Sequence, residues 1–181
     1  MRSMKVYKMI PDVERFQSLA FREPPEGLLF DGDSYSENWK PPRVIIRNPS
    51  KPAPDFWGLE GIPAFALKWS LQGLSHLMGP GGEMLKLAPL AKKLYLFNII
   101  YVLNCLDKKA SIRNAQSPQV IERYAFHRNR IDRGIFKLTD DGGINMYATE
   151  GLCASPDDEF LPTVKKRKLK GLLFEKVWSS E

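Results

Sequence analysis

The chain has 181 residues, of which 43% are apolar and 27% charged, and its formal net charge at neutral pH is +6. This length and composition are typical of a globular protein with one domain, and they exclude a disordered or fibrous chain. The longest apolar stretch, residues 94–106, is interrupted by Asn98 and Asn104 and is too short for a membrane-spanning helix. Because there are only two cysteines, and no apolar segment follows the N-terminal bases, we expect a cytoplasmic protein.

The charges are unevenly distributed along the chain. Residues 12–37 contain seven acids against two arginines, although the chain as a whole is basic. The positive excess lies mainly in the second half, where residues 165–170 read KKRKLK. A run of like charges is usually a solvated face, so it matters for function only beside a charged partner. The acids of the first segment are Asp12, Glu14, Glu23, Glu26, Asp31, Asp33 and Glu37.

The first third of the chain is predicted to consist of short strands and turns. Residues 5–10 alternate polar and apolar side chains up to Pro11, which predicts a strand. Most of the prolines lie between residues 22 and 63, and proline fixes φ and removes a hydrogen-bond donor. We therefore expect short extended pieces joined by turns in this region, with strands at residues 43–47 and 55–58.

A helix is predicted over residues 64–78. The apolar residues at positions 67, 71, 74 and 78 form one stripe with helical spacing. The glycines of GPGG at residues 79–82 are expected to end this helix, because glycine readily takes the left-handed conformation of a C-cap. Residues 83–90 are predicted to form a short strand that runs into a turn.

The second half of the chain is predicted to contain mainly strands. Residues 93–107 are dense in aromatic and β-branched side chains, which predicts a central strand, with a helix as the alternative. The sequence DDGG at residues 140–143 predicts a hairpin, because both glycines can take positive φ. A short helical piece is expected after Glu150. The other predicted strands cover residues 120–131, 133–139, 143–149 and 171–178.

These elements together predict an α+β fold. A mostly antiparallel sheet is expected to be packed by one or two helices. We expect a single domain over residues 1–181. Its residues 1–63 form a proline-rich, acidic part, and residues 64–181 form a core of helix and sheet.

No residues in the sequence have the spacing of a catalytic or metal site. Neither His76 nor His127 has a cysteine, histidine or carboxylate at metal-ligand spacing. The glycine-rich stretches fit neither a phosphate-binding loop nor a dinucleotide fingerprint, and no Gly-x-Ser-x-Gly elbow occurs. Cys105 lies in the most apolar segment, where a thiol is usually a small buried side chain. We therefore expect no catalytic residue, no metal and no cofactor, and predict that the chain is not an enzyme.

A basic segment at residues 122–133 offers an alternative function. It places His127 among four arginines, where a neutral imidazole could act as a general base on a phosphodiester. Tyr124 and Phe126 could stack on bases. On a strand, however, these two aromatics share one face and His127 lies on the other. The simpler interpretation is that one face of the strand packs in the core and the other, basic face lies in solvent. With the run from Lys165 to Lys170, which could bind phosphate, this segment defines the alternative of a nucleic-acid-binding protein.

Several segments, in chain order, resemble a known bacterial family. The opening MKVYKMIPDVERFQSL resembles its first strand and a following Pro-Asp and Gln-Ser-Leu motif. GEMLKLAPL and LYLFNIIYVLNCLDKKAS resemble the middle of the family, and IDRGIFKL, INMYATEGL and LKGLLFEKVW resemble its closing half. These motifs extend over nearly the whole chain. In them the chain resembles the cytoplasmic immunity proteins of bacterial polymorphic toxin systems. This proteobacterial family was first described as a domain of unknown function.

The resemblance implies a protein that binds and neutralises one cognate toxin and has no catalytic residue of its own. The toxins often encoded beside such proteins resemble nucleases of the His-rich HNH type. They are delivered between competing bacteria by contact-dependent or type VI secretion. The resemblance therefore implies a protein partner, and neither a membrane nor nucleic acid is expected to bind.

The acidic segment is the candidate surface for such a toxin. Its carboxylates could mimic phosphates in the basic groove of a nuclease and speed the encounter, while Tyr35 and Trp39 would be buried anchors. The prolines around them would lower the cost of ordering the loop. Inhibitors that mimic phosphates are usually acidic, so in this basic chain either the acidic patch is local or inhibition occurs away from the toxin's active site. The predicted contact residues are Asp12, Glu14, Glu23, Glu26, Asp31, Asp33, Tyr35, Glu37 and Trp39.

Overall fold

The computed structural model describes residues 3–23, 25–78, 81–88 and 93–181. Within these ranges, thirteen strands in mostly antiparallel sheets and two short α-helices form the α+β fold that the sequence predicts. In this part of the chain no helix has the length and apolar character needed to cross a membrane. In chain order the elements are β1 (Lys5–Pro11), β2 (Ser18–Phe21), β3 (Val44–Arg47), β4 (Phe56–Gly58), β5 (Phe65–Lys68), α1 (Ser75–Met78), β6 (Gly82–Lys86), β7 (Leu94–Ile99), β8 (Val102–Leu103), β9 (Ile112–Arg113), β10 (Ile121–Arg123), β11 (Ile135–Leu138), β12 (Met146–Glu150), α2 (Phe160–Lys166) and β13 (Leu172–Ser179).

The larger sheet has five strands in the order β13, β1, β12, β11 and β8. β1 pairs antiparallel with both β12 and β13, so the first strand of the chain lies inside a sheet built mainly from the second half. β11 and β12 are antiparallel neighbours, and the turn between them has Gly142 and Gly143 at φ of 71° and 72°. The hairpin predicted at residues 140–143 is therefore confirmed.

The smaller main sheet has four antiparallel strands in the order β4, β5, β7 and β6. β7 is buried at all of its positions except Tyr95, as expected of a central strand covered on both faces. The strand predicted over residues 93–107 is thus confirmed in its first half. It ends at Ile99, and β8 then pairs in parallel with β11 of the larger sheet.

The helix predicted over residues 64–78 is wrong in its first half. Residues Phe65–Lys68 form β5, which pairs with β4 on one side and with β7 on the other. A 3₁₀ segment and the four-residue α1 follow. Leu74 and Met78 of the predicted stripe are buried all the same. Pairing on both edges of β5 has therefore prevailed over a local helical pattern.

The strand predicted over residues 120–131 is shorter than expected. β10 ends at Arg123, and residues Arg128–Arg130 form a 3₁₀ turn. The reason is the partner strand, because β10 pairs with β9, which has only two residues.

Two further differences concern β2 and β6. β2, which the sequence did not predict, pairs antiparallel with β3. β6 confirms the first part of the strand predicted at residues 83–90. The end of that prediction, residues 89–90, lies outside the described residues, as do residues 79–80 of the predicted helix stop.

One hydrophobic cluster joins the two main sheets. It contains Met9 and Ile135 from the larger sheet, Phe65 and Phe97 from the smaller one, and Phe160 from α2. The ring centroids of Phe65 and Phe97 are 5.5 Å apart, and those of Phe65 and Phe160 are 6.3 Å apart. The sheets are thus held together by a shared aromatic core.

Candidate functional site

A wide, open groove of about 980 Å³ lies along the loop between β2 and β3. Four of the nine predicted contact residues line it, namely Glu26, Tyr35, Glu37 and Trp39. The loop is rich in proline, as the sequence shows, and its residues 36–38 form a 3₁₀ turn. The other lining residues are Pro25, Leu28, Ser34, Asn38 and Lys40.

The aromatic side chains of the groove pack on Phe30, which has no exposed surface. The rings of Tyr35 and Trp39 meet Phe30 edge-on, with centroid distances of 5.1 and 6.4 Å. The Tyr35 hydroxyl accepts hydrogen bonds from the N–H groups of Leu29 and Phe30, both at 3.2 Å. The Trp39 indole donates to the Lys86 carbonyl at 2.7 Å. These hydrogen bonds within the chain hold both aromatic rings in place. Tyr35 and Trp39 therefore form a fixed wall of the groove.

Glu83 on β6 fixes the loop that carries Tyr35. Its carboxylate accepts hydrogen bonds from the N–H groups of Tyr35 and Ser36, at 2.7 and 3.1 Å, and from the Ser34 hydroxyl at 2.8 Å. Asn98 on β7 donates to the same carboxylate at 2.9 Å. Burial raises the pKa of Glu83, but the hydrogen bonds, led by that from Asn98, outweigh it and hold the pKa below its usual value. A charged carboxylate therefore keeps the loop in one conformation.

Lys137 on β11 connects the groove to the centre of the fold. Its side chain is fully buried, and Nζ donates to the carbonyl of Phe30 and, at 2.8 Å, to that of Pro63. Burial lowers the pKa of Lys137 to about 8, against the opposing charges of Asp31 and Asp141. This lysine joins the groove loop and the turn before β5 to the larger sheet.

The predicted acids are not all presented at the surface. Glu26 and Glu37 are exposed in the groove, and Glu14 is exposed on the turn after β1. Asp12 is only 5% exposed, and its carboxylate accepts a hydrogen bond from Nε of Arg15 at 2.5 Å. Asp12 therefore stabilises its own turn and is not available to a partner. The remaining acids are Glu23 and Asp33, which are exposed, and Asp31, which is half-buried.

The aromatic residues of the basic segment face the interior. Phe126 is buried, Tyr124 is half-buried, and their stacked rings, 5.8 Å apart, pack against the core beneath β11 and β12. His127 is half-buried, and its backbone N–H donates to the Cys105 carbonyl at 2.8 Å. The Arg133 guanidinium lies over the ring of Tyr101, 4.3 Å from its centroid. The strand assumed for the interpretation of a core face and a basic face ends at Arg123, but Tyr124 and Phe126 pack at the core as that interpretation expects.

The basic run at residues 165–170 is partly used within the fold. Lys165 pairs with Glu150 at 3.4 Å, and Lys166 pairs with Asp157 at 2.7 Å. Both lysines lie in the last turn of α2, where cations are favoured by the helix dipole. Two lysines of the run therefore take part in contacts at the end of a helix.

The described residues show neither a metal-ligating group nor a thiol with a lowered pKa. In the described ranges no group of three His, Cys, Asp or Glu side chains could hold a metal ion. Burial raises the pKa of Cys105 to about 12, and it also raises the pKa of Cys153. A thiolate is the nucleophilic form of cysteine, so neither thiol is activated. What the groove offers is shape, aromatic surface and charge.

Sequence reasoning missed the residues that hold the groove, which are Glu83, Asn98 and Lys137. A signal exists for two of them, because Asn98 and Lys137 are single polar residues inside the apolar stretches LYLFNII and IFKL. A polar side chain at such a place is buried and needs partners. The identity of those partners, which lie far away in the chain, is not contained in the local pattern.

No protein-family model, curated protein or solved structure matches this chain.

Proposed function

We propose that this chain is an immunity protein, which binds a cognate secreted toxin and neutralises it by direct protein–protein blockade. The proposed toxin is a nuclease domain, and the proposed place of action is the cytoplasm of the cell that makes the immunity protein. The observation that carries the proposal is the groove, whose walls are fixed by internal hydrogen bonds before any partner arrives. The sequence motifs that resemble immunity proteins give further support.

A fixed groove suits an inhibitor because it lowers the cost of binding. Loop residues that are already ordered lose little conformational entropy when a partner docks. The exposed carboxylates of Glu26 and Glu37 would attract a basic protein surface, such as the nucleic-acid-binding face of a nuclease, and would speed the encounter. In this mechanism the chain acts stoichiometrically, and none of its side chains makes or breaks a bond.

Co-expression with the C-terminal toxin domain encoded by the neighbouring gene tests the function. We expect this chain to restore the growth of cells that produce the domain, and the two purified proteins to form a stable complex. A chain that neither restores growth nor binds the domain would contradict the proposal.

The acidic part of the groove is tested in the same complex with E26Q/E37Q. We expect the association rate to fall about tenfold at low salt and by less at high salt, because salt screens exposed charges. D158N/E175Q is the control, since it removes two exposed carboxylates elsewhere and changes the net charge equally. Equal rates for the two double variants would remove the groove acids from the interface.

The nucleic-acid-binding alternative makes a different prediction. It requires the purified chain to bind labelled RNA or DNA with an affinity that falls steeply as salt rises. Such binding, together with failure to bind the toxin domain, would favour the alternative.

A further inference from the structure

An exposed apolar patch lies next to the groove. Leu29 is 69% exposed and Ile144 is 56% exposed. Both line a hollow of about 500 Å³, together with Ile10, Ile62 and Pro63, and these five residues are called the apolar patch below. Large apolar side chains grouped at a surface are typical of interaction sites.

The apolar patch is continuous with the groove. A smaller hollow of about 400 Å³ shares Pro25 and Leu28 with the groove. The same hollow shares Gly61 and Ile62 with the hollow of about 500 Å³ that the apolar patch lines. One concave surface therefore runs from the acidic groove to the apolar patch.

The backbone that carries Leu29 is fixed. The N–H of Leu29 donates to the Tyr35 hydroxyl at 3.2 Å. The next residue, Phe30, is buried with φ of 54°, a conformation that is rare for a bulky side chain, and its carbonyl accepts a hydrogen bond from Lys137. Strained backbone that its surroundings hold in place is frequent at functional sites. These contacts therefore keep the Leu29 side chain exposed to solvent.

Ile144 is brought to the same place by the hairpin between β11 and β12. Gly143 has φ of 72°, and a Cβ atom at this position would collide with the carbonyl oxygen of Asp31. The hairpin therefore lies directly against the turn that follows Leu29. The Asp141 carboxylate accepts the N–H of Gly143 at 3.1 Å and so fixes the hairpin.

We propose that the toxin covers both ends of this surface, with basic residues facing Glu26 and Glu37 and an adjoining apolar patch of its own covering Leu29 and Ile144. This inference rests on the proposed function, and it adds the chemistry of the partner's surface and two contact residues outside the acidic set.

The distribution of charge decides the orientation of the partner. Among the described residues, the charged residues that line the groove are Glu26, Glu37 and Lys40, which leaves it one net negative charge, whereas Lys8 is the one that lines the apolar hollow. Interfaces of this kind take most of their affinity from a few buried apolar contacts, and their polar rim sets the encounter rate.

The double variant L29A/I144A tests the inference. It removes apolar contact surface without a change of charge, and because both side chains are exposed we expect thermal unfolding to be unchanged. The affinity for the C-terminal toxin domain of the neighbouring gene is expected to fall at least tenfold, at low and high salt alike. The matched control is I112A/V120A, whose parent side chains are 44% and 50% exposed around β9 and β10, and it is expected to bind like the wild type.

The outcomes separate this inference from the proposed function. If the wild type binds the domain and L29A/I144A binds it with the same Kd, or if I112A/V120A loses as much affinity, the inference is overturned and the proposed function stands. If the wild type does not bind the domain, both are overturned. A wild type that is dimeric by light scattering, with L29A/I144A monomeric, would assign the apolar patch to a second copy of the chain and also overturn the inference.

Discussion

Lys137 lies on a strand whose four residues are all buried, and its own side chain has no exposed surface. Its ammonium group meets two backbone carbonyls, those of Phe30 and Pro63. Burying a charged group costs free energy unless the group is hydrogen-bonded. These two hydrogen bonds offset only part of the desolvation of Lys137, and its pKa is therefore lowered. At the residue scale, the groove loop is therefore held by a buried lysine, although lysine side chains usually lie in solvent.

The free energy of unfolding is expected to rise between about pH 8 and about pH 9.5. Burial lowers the pKa of Lys137 to about 8, whereas an unfolded lysine keeps a value near 10.5, so in this window the unfolded state holds more protons. Removing them by raising the pH favours the folded state, by about 1.5 kcal/mol over the window. Urea unfolding at several pH values measures this.

The variant K137M is the control for that pH dependence. It has no ionisable group at this position, so its stability should lack the rise. We also expect it to be less stable than the wild type, because the Phe30 and Pro63 carbonyls lose their donor. A rise of equal size in K137M would assign the effect to another group.

The hairpin between β11 and β12 is the element that joins the groove loop to the larger sheet. Gly142 and Gly143 have nearly the same φ, but a Cβ atom at Gly142 would meet nothing within 4 Å, whereas at Gly143 it would collide with the Asp31 carbonyl. A substitution at Gly142 therefore measures the cost of backbone strain alone, whereas one at Gly143 measures that cost together with a clash against the Asp31 turn.

G143A is expected to cost several times more stability than G142A. Each substitution places alanine at a positive φ, which costs about 1 kcal/mol. G143A must also displace the turn at Asp31, so we expect a total of about 3 kcal/mol or more. Thermal or urea unfolding of the two variants gives the comparison, and equal losses would mean that the hairpin does not support the groove loop.

One of the two edges of the larger sheet shows a second property at the element scale. β13 lies at this edge, and its residues Glu175 and Lys176 are exposed. Charged side chains on an edge strand oppose pairing with another chain, because they would be buried against it. This property of the edge is compatible with the proposal that the partner binds at the groove.

At the scale of the whole molecule, the two main sheets are expected to unfold as one unit. They share the cluster that contains Phe65, Phe97 and Phe160, and β1 pairs with two strands from the end of the chain. Because loss of the shared cluster would expose apolar surface of both sheets, we expect one cooperative transition.

The variant F65A tests this cooperativity. Phe65 has no exposed surface and its loss is expected to cost about 3–5 kcal/mol. Tryptophan fluorescence and far-UV circular dichroism should report the same shifted midpoint in urea. Leu173→Ala, at a side chain that is 41% exposed, is the control and should shift the midpoint little. Separate midpoints for the two signals would mean that the sheets unfold independently.

The sequence by itself determined the fold class, most of the strands and the hairpin. These follow from local rules, since alternation predicts β1, and paired glycines predict the turn at residues 140–143. It also placed Glu26, Tyr35, Glu37 and Trp39 in one segment, and that segment lines the groove.

Only the tertiary structure decided which of these residues can meet a partner. Residues 65–68 became a strand because β4 and β7 pair with both of its edges, and Asp12 turned inward to bind Arg15. The contacts that fix the groove, from Glu83 to Tyr35 and from Lys137 to Phe30, join positions far apart in the chain. A local sequence pattern reflects the periodicity of its own segment only. Contacts between distant segments depend on how those segments pack, so they cannot be read from the local pattern.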